Sequence, residues 1–140
     1  GYGSVIAKFL TQARQGGPLT LYGDGRQTRC FTYITDAIEG TILAANAPEA
    51  SGLSFNIGFN RETSVLELSE VIRGRVNPEA AIEFTSYQEI YGVPFEETNR
   101  RVPDIERAAQ VLGFQASVSL EEGLEQTIAW FEEKEIHVVN

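Results

Sequence analysis

"PLTLYGDGRQTRCFTYITD", Pro18–Asp36, is the stretch on which the rest of the chain turns. Leu19 to Tyr22 alternate apolar and polar side chains and read as a short strand. Gly23-Asp24-Gly25 then forces a tight turn, because glycine reaches backbone angles that other residues avoid. Arg29 to Ile34 is rich in aromatic and β-branched residues and predicts a second strand. Thr35 or Asp36 supplies an N-cap for the helix that follows. Between turn and strand stand two arginines, Arg26 and Arg29. A solvated loop is served as well by Ser, Asn or Lys, whereas guanidinium forks suit a planar or multivalent anion.

The wider composition sharpens that question. The 140 residues carry a formal net charge of −9, and only Lys8 and Lys134 among the eleven cations are lysine. So acidic a chain lacks the basic footprint of a nucleic-acid or anionic-membrane binder. The length predicts one domain. Cys30 is the single cysteine, which rules out an internal disulfide and gives no reason to expect an oxidising compartment. No apolar run reaches membrane-spanning length and no signal-peptide pattern opens the chain, so the expected location is cytoplasmic.

Upstream, Val5 to Gln15 is expected as a helix capped by Ser4, with Val5, Ile6, Phe9, Leu10 and Ala13 on one face and Gly16-Gly17-Pro18 as the stop. Downstream, the helix after Asp36 runs to about Asn46 with Ile38, Ile42 and Ala45 as its apolar face. Gly40 within it costs about 1 kcal/mol against alanine unless a close neighbour needs the room. Leu53–Ile57 reads as a strand. Ser64 with Glu67 forms a capping box ahead of Val65, Leu68, Val71 and Ile72. Ala81–Phe84 is a further strand, and residues 86–103 form a long loop. Asp104 caps a helix over Ile105–Leu112 that Gly113 closes. Ser119 and Glu122 make a second capping box, opening a helix with Leu120, Leu124, Ile128 and Phe131 on one face. The tail from Ile136 has no assignment. The order α, β, β, α, β, α, β, α, α, with short strands, predicts an α+β fold or a piece of an α/β protein.

No catalytic set is evident. The chain has no G-x-G-x-x-G, no P-loop, no C-x-x-C and a single histidine, His137, so neither a metal site nor a nucleophile–base pair is expected. Cys30 reads as a buried, inert thiol. Glu121-Glu122 and Glu132-Glu133 read as solvated helix surface. What remains is an anion site built from Arg29 and from Arg100 or Arg101, against the plainer alternative that these arginines pair with surplus carboxylates.

A resemblance tips that balance. Residues 18–36 resemble the segment that reads Y-G-D-G-x-Q-x-R-D-F-x-Y-V-D-D in extended short-chain dehydrogenase/reductases, the NAD-dependent nucleotide-sugar epimerases, dehydratases and decarboxylases. "FNIG" (Phe55–Gly58), "SVLELSEVI" (Ser64–Ile72) and "RRVPDIERAAQVLGFQASVSLEEGLEQTIAWFEE" (Arg100–Glu133) are similar to later segments of the same family, in the same order. The resemblance implies that residues 1–140 form the small C-terminal, substrate-binding domain of such an enzyme, without its N-terminal Rossmann domain. It implies that this domain holds the diphosphate of a UDP- or dTDP-sugar, with Arg29 and Arg101 on the diphosphate, Tyr22 near the base and Asn56 toward the substrate. Tyr22 as a core-edge aromatic and Asn56 as a local backbone partner stay open as alternatives. NAD and the Tyr-x-x-x-Lys pair belong to the missing part, so no catalytic or cofactor-binding residue is expected here, and a homodimer is expected of the parent. A non-catalytic sugar-nucleotide-binding or interaction module of the same fold is the alternative. Cys30 and Thr35 depart from the family pattern, each standing where an aspartate is usual.

Overall fold

The computed structural model describes residues 4–86 and 98–138, with the backbone alone for 134–138. The elements are α1 (Val5–Arg14), β1 (Leu19–Tyr22), β2 (Thr28–Cys30), α2 (Ile34–Asn46), a 3-10 turn (Pro48–Ala50), β3 (Glu62–Ser64), α3 (Val65–Val76), β4 (Ile82–Thr85), α4 (Glu106–Leu112) and α5 (Leu120–Val138). The fold is α+β, helix-rich with short strands; among the described residues helices and strands alternate as expected, but the third strand is a different segment from the one expected. Most of the long loop expected over 86–103, including Gly92–Pro94 and Glu96-Glu97, lies outside the described residues, as does the side chain of His137.

The chain divides into two compact units, which length alone does not reveal. The first draws its described residues from Gly1–Arg29 and Thr63–Arg101. Here β1 and β4 pair in parallel, Leu19 with Ile82 through Tyr22 with Thr85. A parallel pair needs a long return path, and α3 is part of it. Helices α1 and α3 pack on each other and on β1. Phe9, Leu10, Leu19, Leu21, Leu68 and Ile72 are fully buried between them, each large side chain contributing about 1.5–3 kcal/mol. The expected caps are in place: Ala7 N–H donates to Ser4 Oγ at 3.3 Å, and Glu67 N–H to Ser64 Oγ at 3.0 Å. The outer edge of β1 is covered by α1. Thr20 N–H donates to Gln12 Oε1 at 3.1 Å, and Lys8 Nζ donates to the Thr20 carbonyl at 2.9 Å. Such cover keeps an edge strand from pairing with another chain.

The second unit draws its described residues from Cys30–Glu62 and Val102–Asn140. Its core is Ala50, Ala108, Leu112, Phe114 and Ala116, packed by Leu43, Ala44, Ala47, Phe55, Ile57 and Phe59. Gly40 on α2 is buried because a Cβ there would stand 2.5 Å from Ile57 Cγ2 and 3.2 Å from Phe114 Cε2. The close neighbour that a mid-helix glycine requires is therefore Ile57. Gly113 ends α4 in the left-handed region at φ 64°, its N–H donating to the Ala109 carbonyl at 3.1 Å. Ser119 and Glu122 form the expected reciprocal box at the head of α5.

Four expectations are corrected. The second strand stops at Cys30, and Ile34 already opens α2, whose N-cap Tyr33 makes no side-chain capping bond. Thr35 and Asp36 are thus inside the helix. Ile38 and Ile42, read as the core face of α2, are 51% and 53% exposed, and Ala45 is exposed too. The opposite, smaller-residue face packs instead. Leu53–Ile57 pairs with no strand among the described residues; its ties include a turn bond from Leu53 N–H to the Ala50 carbonyl and side-chain-to-backbone bonds at Ser54 and Asn56, and the third strand is Glu62–Ser64. Cys30 is half-buried, on a three-residue strand too short to enclose it.

Candidate functional site

The turn after β1 is built by its glycines and locked from several sides. Gly23 and Gly25 have φ of 68° and 71°. At Gly25 a Cβ would also approach Leu21 Cδ2 to 2.8 Å and Leu66 Cβ to 3.2 Å, so both angle and space demand glycine. Gly23 N–H donates to the Thr85 carbonyl at 3.0 Å, which ties the turn to β4. Val65 and Leu66 N–H, two of the donors that the start of α3 leaves unsatisfied, bond to the carbonyls of Gln27 and Gly25 at 3.1 and 3.0 Å. The turn and the helix start therefore complete each other.

The two arginines of the turn differ in their surroundings. Arg26 points to solvent, with its N–H donating to Asp24 Oδ1 at 3.0 Å and its Nε 3.8 Å from Asp24 Oδ2. Its pairing is local, with a carboxylate two residues away. Arg29 is half-buried, and its Nη1 donates to the carbonyls of Thr28 and Thr98, each at 2.8 Å. These carbonyls hold one edge of the guanidinium in a set direction. Alongside, Thr28 pairs in parallel with Arg100, and Thr28 N–H donates to the Asn99 carbonyl at 2.8 Å. One residue further along each segment come Arg29 and Arg101, so the backbone register sets these two abreast. Arg101 is exposed. Two guanidinium-bearing residues on adjacent segments can meet one multivalent anion from two positions.

Tyr22 belongs to the same unit. It is half-buried, with Lys8 Nζ 3.7 Å from its ring centre in a cation–π arrangement. The ring is thus held at the edge of the core while its carbonyl accepts from Gln27 Nε2 at 3.1 Å. Asn56 lies in the second unit. Its Nδ2 donates to the Asp104 carbonyl at 2.9 Å, and it lines a shallow cleft of about 170 Å³ with Ser54, Phe55, Asp104 and Arg107. Arg107 Nη1 donates across it to the Ser54 carbonyl at 2.9 Å. Asn56 thus bonds to backbone, across 48 residues of sequence and not locally.

Sequence reasoning passed over Lys8 and Gln27. A signal for Lys8 existed, since it stands one helical turn before Gln12 on the face of α1 turned to β1. Gln27 offered none, because an isolated glutamine beside a turn has no periodicity. Among the described residues no group of histidine, cysteine and carboxylates could hold a metal ion, and no helix is long and apolar enough to cross a membrane.

The family model for GDP-mannose 4,6 dehydratase matches residues 2–127, nearly the whole chain. The chain belongs to this family. This agrees with the resemblance of its motifs to the extended short-chain dehydrogenase/reductases. It is 40% identical to UDP-N-acetyl-alpha-D-glucosaminuronate decarboxylase of Bacillus cytotoxicus over 134 residues, which is 96% of this chain and 41% of that protein. Among solved structures it resembles an epimerase of Methanothermobacter thermautotrophicus, with a TM-score of 0.86 and 29% identity over 95% of this chain and 38% of the other. It also resembles UDP-glucuronic acid 4-epimerase of Bacillus cereus in complex with UDP-glucuronic acid and NAD, with a TM-score of 0.81 and 31% identity over 92% of this chain and 40% of the other. The chain thus spans about 40% of the length of these relatives.

Proposed function

We propose that this chain is the substrate-binding part of an NAD-dependent nucleotide-sugar epimerase, dehydratase or decarboxylase, and that it holds the diphosphate of a UDP- or dTDP-sugar. Arg29 and Arg101 take the diphosphate. Tyr22 borders the base, and Asn56 is assigned toward the substrate from the family motif alone. The observation that carries this reading is the register of Thr28 on Arg100, which brings Arg29 and Arg101 abreast in a member of this family. Support also comes from the relative whose solved structure contains UDP-glucuronic acid and NAD.

The chemistry of the reaction belongs elsewhere in this reading. The 140 residues contain neither the family's glycine-rich dinucleotide turn nor Tyr-x-x-x-Lys. In this reading no hydride or proton transfer is assigned to this chain. Its own residues bind and orient: two cations neutralise the diphosphate, and the turn allows the backbone to come close. The parent acts as a cytoplasmic homodimer in which the Rossmann domain completes the site.

Calorimetric titration with UDP, UDP-glucose and dTDP tests the binding. Affinity is expected to be weak, because part of the site is supplied by the rest of the enzyme. Arg29→Ala and Arg101→Ala are each expected to lower it at least about tenfold, the loss of one charge-assisted contact. Unchanged binding in both variants would overturn the assignment.

A further inference from the structure

Gln27 is 8% exposed, yet the diphosphate reading gives its side chain no task. Burial of an amide is unfavourable unless it is hydrogen-bonded. Here Nε2 donates to the Tyr22 carbonyl at 3.1 Å, reaching back to the residue that precedes the Gly-Asp-Gly turn. The Gln27 carbonyl accepts from Val65 N–H at 3.1 Å, and the next residue, Thr28, donates its N–H to Asn99 at 2.8 Å. Gln27 therefore ties the end of β1 to the start of α3, and its neighbour Thr28 ties on to the segment that carries Arg101. Tyr22 and Arg29 stand at the two ends of this clasp.

We propose that Gln27 is a positioning residue that closes the 22–27 turn and so sets where Tyr22 and Arg29 stand toward a nucleoside diphosphate. The proposal rests on the diphosphate reading for its ligand, while the clasp itself rests on the geometry of the turn. Without the amide, the Tyr22 carbonyl loses its tie to Gln27, while the backbone bonds of the turn and the Asp24 bond to Arg26 N–H stay. Arg29 and Arg101 remain present, but their spacing is no longer set. Such a loss weakens binding by raising the cost of ordering the site.

The test compares wild type with Gln27→Met, which keeps length and apolar bulk but has no donor. UDP-glucose affinity is measured by calorimetry at a temperature where circular dichroism shows both chains folded. Amide exchange is followed at Val65 and Leu66, with Ile72 as an internal reference. Affinity at least about fivefold weaker, with exchange at least about tenfold faster at Val65 and Leu66 alone, is the expected result. Equal affinity with lowered thermal stability would overturn the proposal, since Gln27 would then serve the fold and not the site. If wild type itself bound no nucleotide, the diphosphate reading would fall, and the exchange comparison would still decide the clasp: unchanged rates would overturn it. Should Gln27→Met not fold, Gln27→Glu, isosteric and without a donor when ionised, replaces it in the same comparison.

Discussion

Asp36 shows how far one residue's task can lie from its local pattern. Next to Thr35 at a helix start, it reads as a cap. It is instead 2% exposed, with Ser117 N–H and Val118 N–H donating to Oδ2 at 3.2 and 3.0 Å and Ser117 Oγ to Oδ1 at 3.3 Å. One carboxylate in α2 thus fixes the segment that leads from α4 into α5. Removing it orphans two backbone donors and a hydroxyl together. Hydrogen bonds to a charged group are worth about 1.5–3 kcal/mol, and an unsatisfied buried donor costs about as much again in desolvation. Asp36→Ala is expected to lower stability by about 2–4 kcal/mol in urea unfolding, a range set by partial access of water to the freed groups. Asp36→Asn keeps one acceptor oxygen and is expected to lose less. A loss below about 0.5 kcal/mol, the level of ordinary surface substitutions, would mean that these bonds contribute nothing net.

At the scale of elements, the helices that announce themselves chemically were legible and the short strands were not. Ser4, Ser64 and Ser119 each mark a true helix start, and Gly113 marks a true end, because caps are local chemistry. Leu53–Ile57 failed as a strand because strand formation depends on a partner that sequence does not name. The apolar stripe Ile38-Ile42 of α2 has the right period but not the packed face, since periodicity finds a face without saying what covers it. The packed face carries Asp36, Gly40, Leu43 and Ala44, too mixed to read as an apolar stripe, and Gly40 is its clearest sign. Gly40→Ala gains about 1 kcal/mol in helix propensity but drives a methyl into β-branched Ile57, an overpacking cost of about 1–3 kcal/mol. Net destabilisation in thermal unfolding is expected, and the penalty should shrink in the background of Ile57→Ala. An additive double variant would show that the contact is not the cause. The head of α5 adds a pH dependence. The Ser119 hydroxyl, then the Ser119 N–H, hold the Glu122 carboxyl below its ordinary pKa. A depressed folded-state pKa adds stability above the unfolded value and loses it as pH falls through the folded one. The start of α5 is therefore expected to loosen only below the ordinary glutamate range. A Glu122 carboxyl titrating at or above that range by NMR would contradict this.

At the scale of the molecule, the candidate site could be named but not assembled from sequence. Arg29 and Arg101 were legible as types and as matches to a motif. Their register was not, because it rests on Thr28 pairing with Arg100 across a long stretch of chain. Nor could the sequence place Gln27 beneath the turn. The whole-chain charge now makes the decisive contrast. At −9 the chain as a body repels a nucleoside diphosphate, so electrostatic attraction must be local, and in the proposed reading the arginine pair supplies it. The two effects respond to salt in opposite directions. Screening length falls from about 30 Å at 0.01 M to about 8 Å at 0.15 M ionic strength, which suppresses distant repulsion first and contact pairs least. A site governed by Arg29 and Arg101 should therefore lose UDP-glucose affinity only modestly over that range, and the residual salt dependence should diminish in Arg29→Ala. If affinity rises with salt equally in wild type and in Arg29→Ala, the general repulsion dominates and Arg29 makes no contact with the diphosphate. If it falls steeply and equally in wild type and Arg29→Ala, the anion is held by cations other than this one, and the assignment of the turn as the diphosphate cradle fails.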